Sequence, residues 1–297
     1  MTVPAAAARL HLHGRDLGPG PLVMAIVNRT PDSFYPAARQ PGDVAALEAV
    51  DRALAEGADL VDVGGVRAGP GDDVDAETEI RRVVPFVERV RERHPDAVVS
   101  VDTWRSEVAD RACAAGADLV NDTWAGHDPR LVEVAASHGA GIVCSHTGGV
   151  TPRTLPHRVS YGTAADGVVL DVVKALGAAA AWAVAAGIPP SSVLVDPTHD
   201  FGKNTWHGLA LLRGTADLVG LGHPVLMALS RKDFVGETLD LPVDDRLEGT
   251  LAATAVAAWL GATVFRAHDV AATRRVLDMV ASIRGERPPA APLRGLA

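Results

Sequence analysis

The sequence predicts a TIM (β/α)8 barrel on three observations: eight apolar, β-branched runs of strand length, a helical pattern after each, and a polar side chain near the end of nearly every run. In order, the runs are LVMAIVN (22–28), DLVDV (59–63), AVVSVD (97–102), DLVND (118–122), GIVCSH (141–146), SVLVD (192–196), PVLMALS (224–230) and TVFRAH (263–268). Between them the apolar spacing becomes helical. Ile80, Val83, Val84 and Val87 share one face over 75–90, as do Val276, Leu277, Val280 and Ile283 over 269–283. Asp43, Asp75 and Asp269 stand where N-caps belong, and Gly57, Gly116 and Gly261 where a helix ends in a left-handed residue. The segments EGADLVDV (56–63), AGADLVND (115–122) and GATVFRAH (261–268) form a weak repeat of helix-ending Gly, small residue and strand. A doubly wound sheet is the alternative architecture. In this reading the barrel spans 21–285, residues 1–20 are a lead-in suited to a small hairpin at the barrel floor, and 286–297 are a Pro-rich tail.

Composition agrees with buried parallel strands under Ala-rich helices: 47% of the 297 residues are hydrophobic and only 4% aromatic. The net charge of −9 argues against a nucleic-acid surface. Two cysteines, Cys113 and Cys144, lie in apolar segments, make no disulfide framework and fit a cytoplasmic setting. The N-terminus lacks the continuous apolar stretch of a signal peptide. The longest uncharged apolar run, 175–187, is too short to span a bilayer, so no membrane segment is expected.

The strand ends collect Asn28, Asp62, Asp102, Asn121, Asp122, His146, Asp196, Ser230, Arg231, Lys232, Arg266, His268 and Asp269. Taken singly, each is more simply a helix cap or a turn residue. Together they place polar groups at the C-terminal rim, where TIM-barrel sites are built. Asp102, Asn121 and Asp196 suit a neutral heterocycle with several N–H donors, whereas Arg231, Lys232, Arg266 and His268 suit a phosphate. In a chain this acidic, the pattern implies a ligand with a polar ring at one end and phosphate at the other.

Other chemistries fit less well. GPG (18–20) and GGVRAGPG (64–71) fit no dinucleotide fingerprint, and FGKNT (201–205) lacks the upstream glycine of a P-loop. The first strand ends in NRT rather than the paired histidines of a metal-dependent hydrolase, and His11 and His13 precede the barrel. Lys232 is the rim lysine available to a Schiff base, but its neighbour Arg231 favours phosphate.

From its first barrel strand almost to its end, the chain resembles the dihydropteroate synthases. The likeness rests on MAIVNRTPDSF (24–34), DVGG with PG (62–65, 70–71), SVDT (100–103), ND (121–122), DP with FGKN (196–197, 201–204), SRK (230–232) and RAHD (266–269), in this order. That family comprises TIM-barrel homodimers that join 6-hydroxymethyl-7,8-dihydropterin diphosphate to p-aminobenzoate and release pyrophosphate with Mg2+. The resemblance implies that Asp102, Asn121, Asp196 and Lys232 hold the pterin, with Lys203 nearby. It also implies Asn28, Arg266 and His268 at the diphosphate and its Mg2+, Ser230 and Arg231 at the aminobenzoate site, and Asp32 near the developing carbocation.

Departures from the family pattern gather on the second-substrate side. Where the family reads Gly-Gly-Glu-Ser-Thr-Arg-Pro-Gly, this chain has Gly64-Gly65-Val66-Arg67-Ala68-Gly69-Pro70-Gly71. Thr198, His199 and Asp200 replace the residues usual after Asp-Pro, Ser145 and Thr147 replace methionines, and Arg29 replaces an aliphatic residue. Two readings follow. In the first, the chain is a working synthase in which Arg67 substitutes for the lost loop arginine, two positions along an extended loop keeping a side chain on the same side. In the second, it is a paralogue that binds a pterin or another phosphorylated ligand with weak, absent or altered synthase activity. A non-enzymatic binding or scaffold role ranks third, the intact polar rim arguing against complete loss of ligand binding.

Overall fold

The computed structural model describes residues 8–30, 43–154, 159–164 and 166–294. A hairpin of β1 (His11–Leu12) and β2 (Arg15–Asp16) precedes eight parallel strands. These are β3 (Leu22–Asn28), β4 (Leu60–Gly64), β5 (Val98–Asp102), β6 (Leu119–Asp122), β7 (Gly141–Ser145), β8 (Val193–Asp196), β9 (Leu226–Met227) and β10 (Val264–Ala267). Their order, β8-β7-β6-β5-β4-β3-β10-β9, is closed by a parallel bridge between Val195 and Val225. The fold is a TIM (β/α)8 barrel.

The outer layer contains α1 (Asp43–Ala55), α2 (Ala76–Arg93), α3 (Ser106–Ala114), α4 (Arg130–Ser137), α5 (Gly167–Ala185), α6 (Thr205–Arg213), α7 (Thr215–Val219), α8 (Asp233–Leu239), α9 (Leu247–Trp259) and α10 (Val270–Ile283). Asp75 caps α2 by accepting from the Thr78 N–H at 2.7 Å. Gly57, Gly116 and Gly261 have φ of +96°, +110° and +104°, as helix-ending glycines should. α1 begins at Asp43. Three expectations are corrected. Asp269 precedes α10 but makes no cap bond, because its carboxylate is held by Arg231. Ile283 is exposed, since six residues beyond Leu277 a helix has turned away from its buried face. The seventh barrel strand shrinks to Leu226–Met227, because the chain turns after Leu229 and Arg231 adopts φ +55°.

Side chains alternate in and out along each strand, and that alternation builds the site. Leu22, Leu60, Val98, Leu119, Leu194 and Val264 form an inner apolar layer with Leu10 and Leu12 of the hairpin, which plugs the floor. Moving up in steps of two reaches Asp62, Ser100 then Asp102, Asn121, Asp196, and Arg266 then His268. Gly141 lets the plug seat: a Cβ there would stand 2.5 Å from Leu12 Cδ2 and 2.7 Å from the Ser192 carbonyl.

α5 is long and apolar enough to cross a membrane by composition. In the barrel it packs on β7 and β8, burying Val168, Val169, Val172, Leu176, Ala180 and Ala183. Cys113 and Cys144 are buried free thiols, each pushed up to about 12 by burial and so unreactive.

Candidate functional site

A cavity of about 360 Å3 opens at the C-terminal rim. Asn28, Arg67, Asp102, Ser230, Arg231, Lys232, Arg266 and His268 all line it, bringing eight of the expected residues to one space. Asp32 lies outside the described residues.

Below the cavity runs a network of buried polar groups. Asp62 is fully buried and accepts from Ser100 Oγ at 2.6 Å, Asn121 Nδ2 at 3.1 Å and Arg266 Nε at 2.6 Å. Arg266 also reaches Asp102 at 3.0 Å, and Thr123 Oγ1 donates to the other Asp102 oxygen at 2.8 Å. Burial pushes the Asp102 carboxyl up to about 7 against the opposing pull of Arg266. One guanidinium is thus shared by two acids, and Asn121 is fixed through Asp62 rather than lining the cavity. Sequence reading placed Asp62 on the rim without a role; an acid at an inward position of an otherwise apolar strand was the available signal.

The second group lies between the ends of β8 and β9. Asp196 accepts from the Thr198 N–H at 2.7 Å; burial raises its carboxyl, opposed chiefly by Lys232. Lys232 donates to the His199 carbonyl, and its ammonium lies 4.9 Å from the centre of the Phe201 ring. Burial lowers the Lys232 ammonium, with Asp200 and then Asp196 opposing. His199 is fully buried beside Phe234, and neither ring nitrogen has a hydrogen-bond partner among the described residues. Burial holds it neutral, well below the usual histidine range.

Four expected roles change. Lys203 lies outside the cavity: its ammonium is buried in a cage of three carbonyls, from His146 (2.7 Å), Phe201 (2.7 Å) and Thr198 (3.2 Å), where burial lowers it to about 7. Arg231 borders the cavity, but its guanidinium is committed to Asp269 at 3.0 and 3.1 Å and to the carbonyls of Val243 and Asp244. His268 bonds Ser230 Oγ at 2.9 Å and is lowered to about 3 by burial, then by Arg266, so at neutral pH it is not a cation. His146 turns from the rim toward Asp171 of α5, at 2.8 Å. The basic half of the rim is therefore largely neutralised from within.

The divergent loop after β4 forms one lip of the cavity with Val66, Arg67, Ala68, Gly69 and Pro70. Arg153, which no sequence signal marked, reaches over from the loop after β7 and donates to the carbonyls of Gly69, at 3.3 Å, and Asp72. Its neighbour Thr154 lines the cavity. Arg29 is buried, with its guanidinium 4.7 Å from the centre of the Phe86 ring. Ser145 ties the loop after β6 by donating to the Asp122 carbonyl and accepting from the Ala125 N–H at 3.0 Å.

A magnesium ion brought by a diphosphate needs only one or two protein oxygens, the remainder coming from phosphate and water. Among the described residues no cluster of three or more His, Cys, Asp or Glu side chains forms a dedicated metal cage. Asn28 fits the smaller demand. It lines the cavity, and Gly64 leaves room for its amide, since a Cβ there would stand 3.3 Å from Asn28 Oδ1.

Residues 24–268 match the model of the pterin binding enzymes. The chain is 64% identical over 276 residues to a Mycobacterium tuberculosis protein named inactive dihydropteroate synthase 2, covering 93% of this chain and 87% of that one. A dihydropteroate synthase from Coxiella burnetii, solved with pteroic acid, superposes with a TM-score of 0.84 at 30% identity, covering 93% of this chain and 98% of that one. The Thermus thermophilus dihydropteroate synthase, solved with 4-aminobenzoate, gives a TM-score of 0.80 at 36% identity, covering 93% and 99%. By barrel, rim and likeness together, the chain belongs to the pterin binding enzymes, as a divergent member of the dihydropteroate synthase family.

Proposed function

We propose that this protein binds 6-hydroxymethyl-7,8-dihydropterin diphosphate at the barrel mouth and condenses it with p-aminobenzoate weakly or not at all. The observation that carries the reading is the single cavity lined together by Asp102, Lys232, Arg266, His268 and Asn28. Asp102, with Asn121 and Asp196 beneath it, presents acceptors to the N–H groups of a pterin, and Lys232 faces its ring acceptors. Asn28, Arg266 and neutral His268 lie on the diphosphate side, where Mg2+ bound with the diphosphate would offset its charge.

In a synthase, the C–O bond to the diphosphate breaks, the acceptor amine attacks the exocyclic carbon, and the amine loses a proton. Stabilising the departing charge is the protein's main task. Here Arg266 is already divided between Asp62 and Asp102, Arg231 is held by Asp269, and His268 is uncharged at neutral pH, so little free positive charge remains for that step. Arg67, on the divergent lip, is the side chain placed to supply more. The name of the mycobacterial relative, at 64% identity, favours the same reading.

We propose the α9–α10 side, where Val256, Met279 and Ile283 expose apolar surface, for the homodimer expected of the family. A cytoplasmic setting completes the proposal, with both thiols reduced.

Calorimetry with the pterin diphosphate and Mg2+, beside a coupled assay of pyrophosphate release on adding p-aminobenzoate, tests the function. Binding with little or no release is expected. Absence of pterin binding overturns the ligand, and sustained turnover overturns the inactivity. In a turning-over enzyme Arg67→Ala would sharply lower the rate.

A further inference from the structure

The acceptor side of the cavity carries an unusual distribution of charge. Asp200 and Asp233 line the same wall as Phe201 and Lys232. Asp200 is a non-glycine residue at φ +68°, a conformation that costs energy unless its surroundings hold it. What holds it is its own carboxylate, which receives the Asp233 N–H at 2.6 Å and the Phe234 N–H at 3.4 Å. Asp233 adds a second carboxylate, 2.9 Å from Arg246 and largely exposed. The wall's cation, Lys232, is already shared with the His199 carbonyl and the Phe201 ring.

An acceptor lying along Phe201 would therefore meet the Asp200 carboxylate, with Asp233 paired to Arg246, a lysine shared with the His199 carbonyl, and backbone donors already occupied. A carboxylate on that acceptor is met by like charge at short range, whereas an amide or other uncharged group is not. Arg67, on the lip formed by the loop after β4, is assigned under the proposed function to the departing diphosphate.

We infer that Asp200 is a specificity-determining residue that bars carboxylate-bearing acceptors, so that the aromatic amine this site accepts is uncharged where p-aminobenzoate is anionic. The inference rests on the pterin-diphosphate reading above and deepens it. Asp200 defines the acceptor class through charge, and the unusual backbone conformation fixes where that charge stands.

The test titrates p-aminobenzoate and its neutral isostere p-aminobenzamide into protein preloaded with pterin diphosphate and Mg2+. The wild-type protein is expected to favour the benzamide by about tenfold or more, a single close like-charge contact being worth at least that much. Asp200→Asn, and Asp200→Gly, which suits φ +68°, should each tighten p-aminobenzoate by about tenfold while leaving the benzamide within about twofold. Equal affinities in the wild-type protein overturn the inference, as do equal gains for both ligands or binding of neither. The wild-type ratio is informative even if a variant fails to fold. Failure of the pterin diphosphate itself to bind is read in the preloading step and overturns the ligand reading instead.

Discussion

Replacing Arg266 by methionine tests whether the rim network is a balanced charge cluster. The guanidinium lies 2.6 Å from Asp62 and 3.0 Å from Asp102, with side-chain exposures of 19% for Arg266, 0% for Asp62 and 18% for Asp102. At an effective dielectric of about 20, a unit-charge contact near 3 Å is worth roughly 5–6 kcal/mol before desolvation. Removing one partner of a buried cluster costs about 3–5 kcal/mol, because the remaining charges stay buried without it. Against a total stability of about 5–15 kcal/mol, such a loss is easily seen. The measurement is urea unfolding followed by tryptophan fluorescence from pH 4.5 to 8. The pH dependence has a definite sign. Folded Asp102, raised to about 7, holds its proton to a higher pH than the unfolded chain, whose carboxyl titrates near 3.8. Folding stability from this group therefore falls as pH rises from about 4 to about 7. Without Arg266 the fall should steepen, so the deficit of the variant is largest at pH 8 and shrinks toward pH 4.5 as the acid is neutralised. A deficit below about 1 kcal/mol at pH 8, or one independent of pH, refutes the charge-cluster argument.

Three further outcomes are expected. Lys203→Met should cost about 1–3 kcal/mol by leaving three carbonyls without their donor. It should also remove a rise in thermal stability between pH 7 and 10, where the unfolded chain still binds a proton that folded Lys203, lowered to about 7, has released. Asp102→Asn should weaken the pterin diphosphate by about 10–100-fold in calorimetry at pH 8, where the acid, raised to about 7, is mostly ionised, the range of a hydrogen bond to a charged acceptor. Arg153→Ala should speed amide hydrogen exchange over residues 66–72 by about tenfold, since it removes the donor to the Gly69 and Asp72 carbonyls.

The barrel was legible because its information is periodic. In β5, Val98, Ser100 and Asp102 take the inward positions while Val99 and Val101 face the helices, and the same two-residue rhythm recurs around the ring. The rim residues followed, because a strand's last inward position has nowhere else to point. Their partners did not follow. Arg231 meets Asp269 across 38 positions, and Arg266 meets Asp62 across 204. Nothing local distinguishes an arginine waiting for phosphate from one neutralised by a distant acid. The Lys203 cage was hidden for a related reason: its acceptors are backbone carbonyls, which every residue has. Conversely, the substitutions in the loop after β4 and at 198–200 were visible as departures. Only the geometry showed that Asp200 turns its own carboxylate onto the backbone of Asp233 and Phe234.

The Leu10 and Leu12 plug imposes a traffic rule. With the barrel shut at its base among the described residues, the rim cavity is the way in, and whatever sits deepest there must enter first and leave last. Under the proposed function, a pterin seated over Asp102 would be held in by any later arrival, and a sluggish second partner would turn the chamber from a workshop into a holding place. Long residence of the first molecule is then the kinetic signature expected under the proposed function.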